Sequence, residues 1–432
     1  MPQRTNARPR WRARPAHSTT ALVLLLLSSP SPAGPAAPAA VDPTTARQTF
    51  ESYYDQWLDL LKQQDVLQPD ERSAKIGSII EGLFDLDALA AHAIPREWPA
   101  LTPPERTRFR GALTRSLTRR LSGVMGEEDA AQPPVLELTK EVPGEGVARL
   151  EYLIRQANGK TESLAIEMLD TAQDGWKITE LTYAKTGLGG LYRAQAGKLL
   201  KDYSFPYLVA ELGDYPAVTL EDFEAGPVDS LPRGWTWKDS DNAKRKPYAV
   251  RREDDNHYLE ATDNGESVIL GKDLKWNLDK YPYVSFRLRV HRVPEGGDER
   301  SDKKVDSAAG VYFIYKKKLG LIPESIKYVW STTLPAGSAV RRHGTGRPWM
   351  VVVGSGTDHL GEWRTYEFDL REAYRDTFGP KPPDRPIGIG ILSDANSTHS
   401  HAYADYDDIL ALRSAGSSVT SGVTQILKPT DQ

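Results

Sequence analysis

The stretch DGWKITELTYAKTGLGGLYRAQ, Asp174 to Gln195, changes its period midway and decides the fold class of the first half of the chain. Trp176 to Tyr183 reads as a strand, Gly187, Gly189 and Gly190 predict a glycine-rich turn, and Leu191-Tyr192-Arg193 opens a helix. Upstream, from Pro134, apolar residues recur at every second position: Leu150, Tyr152 and Ile154, then Leu164, Ile166 and Met168, then Trp176 and Ile178. Asn158-Gly159 and Asp174-Gly175 fall between these runs, and both pairs tolerate the positive φ of a tight hairpin. The pattern predicts a four-stranded antiparallel sheet with one apolar face. Such a face must be covered.

The cover is encoded earlier in the chain. Phe50, Tyr54, Trp57, Leu58 and Leu61 form one apolar stripe on a helix expected from Thr45 to Gln64. A second helix starts near Pro69 and carries Ile76, Ile79, Ile80 and Leu83; Phe84-Asp85 caps a third, through Leu86, Leu89 and Ala93. Thr102-Pro103-Pro104-Glu105 is a helix start, with Thr as cap, Pro at the first helical position and Glu three residues after the cap. That helix aligns Phe109, Leu113, Leu117, Leu121 and Val124. Its Arg106, Arg108, Arg110, Arg115, Arg119 and Arg120 read as a solvated face, with a lipid-headgroup surface as the sharper alternative. Helices followed by a sheet make an α+β domain.

The chain has 432 residues, enough for two to three domains of roughly 100–200 residues each. Residues 1–40 hold Arg4, Arg8, Arg10, Arg12 and Arg14 without an acid, then the apolar run Ala21 to Leu27, then small residues from Ala33 to Ala40. Basic, apolar, small is the order of a secretory signal peptide, and the run is well short of the roughly 20 residues that span a bilayer. That segment removes five of the 55 Lys and Arg and none of the 59 Asp and Glu, so the remainder carries a net charge of −9. Nucleic acid is not an expected partner, because phosphate contact needs a clustered basic surface. The absence of cysteine excludes disulfides, thiolate metal sites, cysteine nucleophiles and a lipidated cysteine anchor. No other apolar run approaches membrane-spanning length, so a soluble protein is expected.

Two blocks then carry a resemblance. One is Phe84-Asp85-Leu86, Trp98, and Thr102-Pro103 with Glu105, Arg106 and Phe109; the other is Gly175-Trp176-Lys177-Ile178, a turn, and Tyr192-Arg193-Ala194-Gln195. In this order they resemble the MlaC, or toluene-tolerance auxiliary, family over about residues 45–202. The resemblance implies a periplasmic auxiliary component of an ABC transporter, a carrier that holds a phospholipid by its acyl chains between sheet and helices. It implies transfer between membrane-bound lipid-transport complexes, with no cofactor and no catalytic residue. The inward-facing residues Leu113, Leu117, Leu150, Tyr152, Ile154, Leu164, Ile166, Ile178 and Tyr192 are the candidates to line the site. A dry cavity suffices for a tail, since each buried methylene contributes about 0.8 kcal/mol. One departure stands out: Lys185-Thr186-Gly187-Leu188-Gly189-Gly190 replaces a Gly-Val-Ser-Leu-like turn, which predicts a more flexible mouth.

Residues 203–218, with two prolines and scattered aromatics, read as a linker. From 219 to 412 the chain is β-rich, with strands expected at Tyr248–Arg251, Tyr258–Ala261, Val268–Leu270, Tyr283–Val290, Val311–Tyr315, Ile326–Ser331, Met350–Val353, Thr365–Leu370, Pro386–Leu392 and Tyr403–Ala411. Val284, Phe286, Leu288 and Val290 alternate with Ser285, Arg287, Arg289 and His291, one face buried and one wet. The spacing predicts an all-β sandwich or jelly roll. Glu295 to Asp306 is charged and is expected to be a mobile loop, and residues 413–432 a disordered tail. Ser230 to Trp235, Tyr283 to Arg289, Tyr328-Val329-Trp330, Trp363, Phe378-Gly379 and Ile387 to Asn396 resemble a bacterial family of exported domains of unassigned function. Such domains are similar to galactose-binding-like sandwiches, which implies a fold and no activity.

Two constellations in this half could carry a ligand. Asp394, Asn396, Asp405, Asp407 and Asp408 supply hard oxygens of the kind calcium takes, or serve as turn caps. Trp330, Trp349, Trp363 and Tyr403 are either core or a platform on which a glycan stacks. No G-x-S-x-G elbow, H-E-x-x-H or P-loop occurs. The sequence thus predicts a non-enzymatic lipid carrier with a β-sandwich interaction module. The alternative is a carbohydrate-binding or cell-wall-associated protein in which the first domain is only a scaffold.

Overall fold

The computed structural model describes residues 45–63, 66–124, 135–155, 159–237, 245–318 and 322–416. The expected signal peptide, Asn158 of one hairpin and all but the first residues of the expected tail lie outside them. The described residues fall into two compact units: one from residues up to Leu89 with Leu117–Gly189, the other from Ala90–Ser116 with Gly190 onward. No helix among them is long and apolar enough to cross a membrane.

In the first unit, Thr45 starts α1 (Ala46–Lys62) with a capping box shared with Gln48, and Phe50, Tyr54, Trp57, Leu58 and Leu61 are all buried. Helix α2 (Pro69–Leu83) begins on its proline and buries Ile76, Ile80 and Leu83. In α3 (Leu86–Ala93), Asp85 caps as expected, accepting the Ala88 N–H at 2.9 Å. Its own N–H donates to the Ile178 carbonyl at 2.9 Å, fastening the end of α2 to the sheet. That sheet is β1 (Val135–Pro143), β2 (Val147–Arg155), β3 (Thr161–Thr171), β4 (Gly175–Tyr183) and the two-residue β5 (Thr186–Gly187), in sequence order and antiparallel. The alternation holds: Leu150, Tyr152, Ile154, Leu164, Ile166, Met168 and Ile178 are buried.

The glycine-rich turn is not where the glycines suggested. The chain reverses at Ala184-Lys185, whose φ values of 44° and 75° are those of a two-residue hairpin built without glycine. Gly187 pairs with Thr182 in β5, and Gly189 already lies in α5 (Leu188–Leu200). Glu180 explains the early helix start: its carboxylate accepts the Gly189 N–H at 3.1 Å, at the end where a helix favours negative charge. The mouth expected to be more flexible is instead a paired strand followed by a capped helix.

The helix α4 (Pro103–Val124), which belongs to the second unit as far as Ser116 and to the first from Leu117, opens with Thr102 and Glu105 bonded to each other as the sequence predicted. Its arginines are not simply a wet face. Arg108 pairs with Asp222, Arg115 donates to the Gly213 carbonyl at 2.9 Å, and Arg106 lies 5.0 Å over the Trp98 ring. The expected linker holds a helix, α6 (Phe205–Gly213), whose Tyr207 and Ala210 enter the unit's apolar core.

Two sheets follow. The first pairs β16 (Arg364–Asp369), β11 (Tyr283–Arg292), β18 (Ala402–Leu412), β9 (Asn256–Asp263) and β8 (Tyr248–Glu253) in that order, with β6 (Ala217–Glu221) also on β18. The second is seven-stranded: β14 (Ala339–Val340), β15 (Trp349–Ser355), β13 (Ile322–Ser331), β12 (Ala309–Lys318), β17 (Gly388–Ile391), β10 (Leu270–Asp273) and β7 (Thr236–Trp237). Each of the ten expected strand sites lies on or beside one of these. At Leu370 the chain instead turns into α7 (Leu370–Thr377), because Asp369 accepts the N–H groups of Arg371 and Glu372 as an N-cap. The inner faces share one core, with the Phe286 ring 6.2 Å from Phe313 and 5.9 Å from Tyr328.

The charged segment Glu295–Asp306 is a loop, but a fastened one. Glu299 and Asp306 are fully buried. Ser307 and Ser331 donate to Glu299 at 2.9 and 2.6 Å, and Thr398 donates its N–H and hydroxyl to Asp306. Satisfied buried carboxylates hold a loop that composition alone marked as mobile.

Close packing sets one test. Gly354 faces the buried Trp330 across the parallel β13–β15 pair, and a Cβ there would overlap the indole. Gly354→Ala should lower stability by about 1–3 kcal/mol in urea unfolding; an unchanged midpoint would show that the ring moves aside freely.

Candidate functional site

The nine candidate lining residues are all buried. Leu117, Leu150, Tyr152, Ile154, Leu164, Ile166 and Ile178 belong to the first unit, where the structure places the β2, β3 and β4 members on one sheet face. Leu113 and Tyr192 belong to the second unit. The sequence reading placed the stripe of α1 in the cover and left it out of the site. The structure brings it onto this sheet: Phe50 lies 5.5 Å from Tyr152, and Phe50, Tyr54 and Trp57 continue as a chain of ring contacts at 6.2 and 5.9 Å. The signal was the i, i+4, i+7 spacing of three aromatic rings, read only as core.

This interior has an unusual polar lining. Tyr54 Oη, Trp57 Nε1 and Tyr152 Oη are buried without a hydrogen-bond partner among the described residues. Burial drives both phenol pKa values well up, so both hydroxyls stay protonated donors. A buried donor left unpaired costs about 1–3 kcal/mol. Three such donors along one run of rings form a place where acceptors from outside the chain would be welcome.

In the second unit, the candidate calcium ligands do not converge. Among the described residues no group of three or more acidic or histidine side chains could hold a metal ion. Asp405 is instead met by Arg289 Nε and His291 Nε2, both at 2.7 Å. Asp407 takes the Asn256 amide at 2.9 Å, and Asp408 takes Arg287 at 2.9 Å. Asp394 accepts the Asn396 N–H at 3.5 Å. Arginines of β11 meet three of them, Arg289 at Asp405 and Arg287 at Asp407 and Asp408. His401 is bonded to Asn264 at 2.7 Å.

The aromatic platform divides. Trp330 is core and Trp349 is packed against it. Trp363 and Tyr403 stand on the outward face of the β16-β11-β18-β9-β8 sheet, with Tyr258 and His291, which the sequence reading missed. Those two were hidden because they come from strands far apart in the chain.

Comparison with known proteins finds one family match in each half of the chain. Residues 51–214 match the MlaC protein family, and residues 233–410 match a family described as a protein of unknown function, DUF3047. No curated protein sequence matches the chain. Among solved structures, a phospholipid-binding protein from Ralstonia solanacearum in complex with a phospholipid is 16% identical, covering 39% of this chain and 99% of its own, with a TM-score of 0.32. A family 30 carbohydrate-binding module of a Clostridium thermocellum cellulosomal cellulase is 12% identical over 46% of this chain and 99% of its own, TM-score 0.25. The xyloglucanase domain of NopAA from Sinorhizobium fredii, in complex with cellobiose, is 12% identical over 43% and 98%, TM-score 0.24.

The outward face also has a measurable pH signature. Burial, partly offset by the Asn256 amide, pushes Asp407 up to about 7. Its folded pKa therefore exceeds the unfolded value near 3.9. The folded state holds this proton longer, so the contribution is favourable at low pH and is lost as pH rises toward about 7. Asp407→Asn should gain stability relative to the native chain by a few kcal/mol between about pH 4 and about pH 7, read by urea unfolding. A pH-independent difference would contradict the raised value.

Proposed function

We propose that the MlaC-family region, residues 51–214, is a non-enzymatic carrier that takes up a phospholipid by its acyl chains in the periplasm and passes it between envelope membranes. The reading rests on the family match together with one observation, the three unpaired donors Tyr54, Trp57 and Tyr152 inside an otherwise apolar interior. Tails gain from the apolar sheet face at about 0.8 kcal/mol per methylene. Ester carbonyls of the same molecule accept hydrogen bonds from the orphan donors, which removes a standing penalty from the empty protein. No bond is made or broken. The order basic, apolar, small in residues 1–40 supports export, and a membrane-bound complex that receives the lipid is the partner this mechanism requires.

Native protein, extracted with organic solvent and analysed by mass spectrometry, should release phospholipid. Protein that is free of phospholipid and takes none up from phosphatidylglycerol–phosphatidylethanolamine vesicles would end the reading. Tyr152→Phe separates the lipid's role from simple packing. It should leave the lipid-free protein as stable or more stable by about 1 kcal/mol, because an unpaired hydroxyl is removed, yet retain less lipid. A loss of stability with unchanged lipid content would show that the hydroxyl serves the fold alone.

A further inference from the structure

The outward face of the β16-β11-β18-β9-β8 sheet departs from an ordinary wet face. Polar residues on such a face normally point into water. Here Asp405 and Asp407 are fully buried and the Arg289 side chain is only 12% exposed. Above them stand three half-exposed rings, Tyr258, Trp363 and Tyr403. Strand register sets Glu260, Asp405 and Arg289 side by side across β9, β18 and β11. This is a preformed bed of charged groups under an aromatic layer.

Each ring is held before any ligand arrives. The Arg287 and Arg289 guanidinium carbons lie 4.7 and 4.6 Å from the Trp363 ring centre, and Tyr258 meets that ring edge-on at 5.7 Å. Tyr403 stacks on His291 at 4.2 Å and donates its hydroxyl to Glu260 at 3.0 Å. Arg251 holds the other oxygen of Glu260 at 2.7 Å, and Arg289 donates to both oxygens of Glu253 at 3.0 and 3.1 Å. Rings fixed in this way lose little freedom on binding. One acceptor is left over. Asp405 uses Oδ2 for Arg289 and His291, while its Oδ1 is buried and receives no hydrogen bond among the described residues.

We propose that this face binds an uncharged, extended oligosaccharide. Sugar C–H faces stack on flat rings, and sugar hydroxyls donate to the fixed carboxylates that reach the surface, Glu253 and Glu260. The charge balance selects against other ligands. Even without Asp407, whose proton is held up to about pH 7, Glu253, Glu260, Asp405 and Asp408 outnumber Arg251, Arg287 and Arg289, so phosphates and nucleic acids are disfavoured. Charged groups surround and underlie the rings, so the face offers no continuous apolar surface to a lipid tail. This reading is independent of lipid carriage by residues 51–214, and either can fail without the other.

The test is calorimetric titration of the full chain with cellohexaose, xylohexaose and chitohexaose. At least one should bind with an affinity insensitive to salt, as expected for an uncharged ligand. Trp363→Ala should weaken that binding by about tenfold or more, and Glu253→Gln should weaken it as well. Trp237→Ala, which removes a 40% exposed tryptophan from the other sheet, should leave it unchanged. If Trp363→Ala does not fold, as judged by its thermal unfolding, Tyr258→Ala reads the same platform. Binding of none of the three sugars overturns the proposal. So does full affinity in the Trp363 and Tyr258 variants, or a loss confined to Trp237→Ala.

Discussion

An antiparallel sheet with one apolar face is unstable in water until that face is covered, and both units of this protein are solutions to that constraint. In the first, helices supply the cover, with the Phe50, Tyr54 and Trp57 stripe laid toward Tyr152. In the second, a sheet covers a sheet, and Phe286 meets Phe313 and Tyr328 between them. The choice of cover has consequences. A helix and a twisted sheet meet along a line, whereas two sheets meet over an area and interdigitate from both sides.

The treatment of buried hydroxyls differs accordingly. In the two-sheet core, Tyr248 donates to the Val268 carbonyl at 2.6 Å, Tyr315 to the Leu370 carbonyl at 2.9 Å, and Tyr406 accepts the Gly310 N–H at 3.1 Å. Tyr328 and Tyr366 are exceptions there. In the helix-covered interior, the Tyr54 and Tyr152 hydroxyls and the Trp57 indole are all unpaired among the described residues. Native interiors seldom leave such groups unsatisfied without a reason. That contrast between the two interiors is the observation on which the proposal of a lipid in the first one is built.

The outward face of the second unit shows the same logic with charges. Asp405 and Asp407 would be expensive to bury alone; Arg289, Arg287, His291 and Asn256 make burial tolerable by meeting them at hydrogen-bonding distance or close to it. The arrangement holds Trp363 and Tyr403 in place as a by-product. On the proposed glycan reading, stability and recognition share the same side chains.

Periodicity, caps and turn residues are local properties, so the sequence alone determined the helix-then-sheet order, the buried alternation from Leu150 to Ile178, the Thr102 cap and the sites of the main strands. It also carried the two blocks that match the MlaC family. What it could not determine were facts set by partners distant in the chain. Glu180 caps α5 and moves the reversal to Ala184-Lys185; Ser331 and Thr398 pin a loop whose charges read as mobile; Arg289 and His291 claim Asp405 before any calcium could. The unpaired state of Tyr54, Trp57 and Tyr152 likewise exists only once α1 lies on the sheet. Whether a polar atom is satisfied depends on what folding brings within about 3 Å of it, and only the tertiary structure decides that.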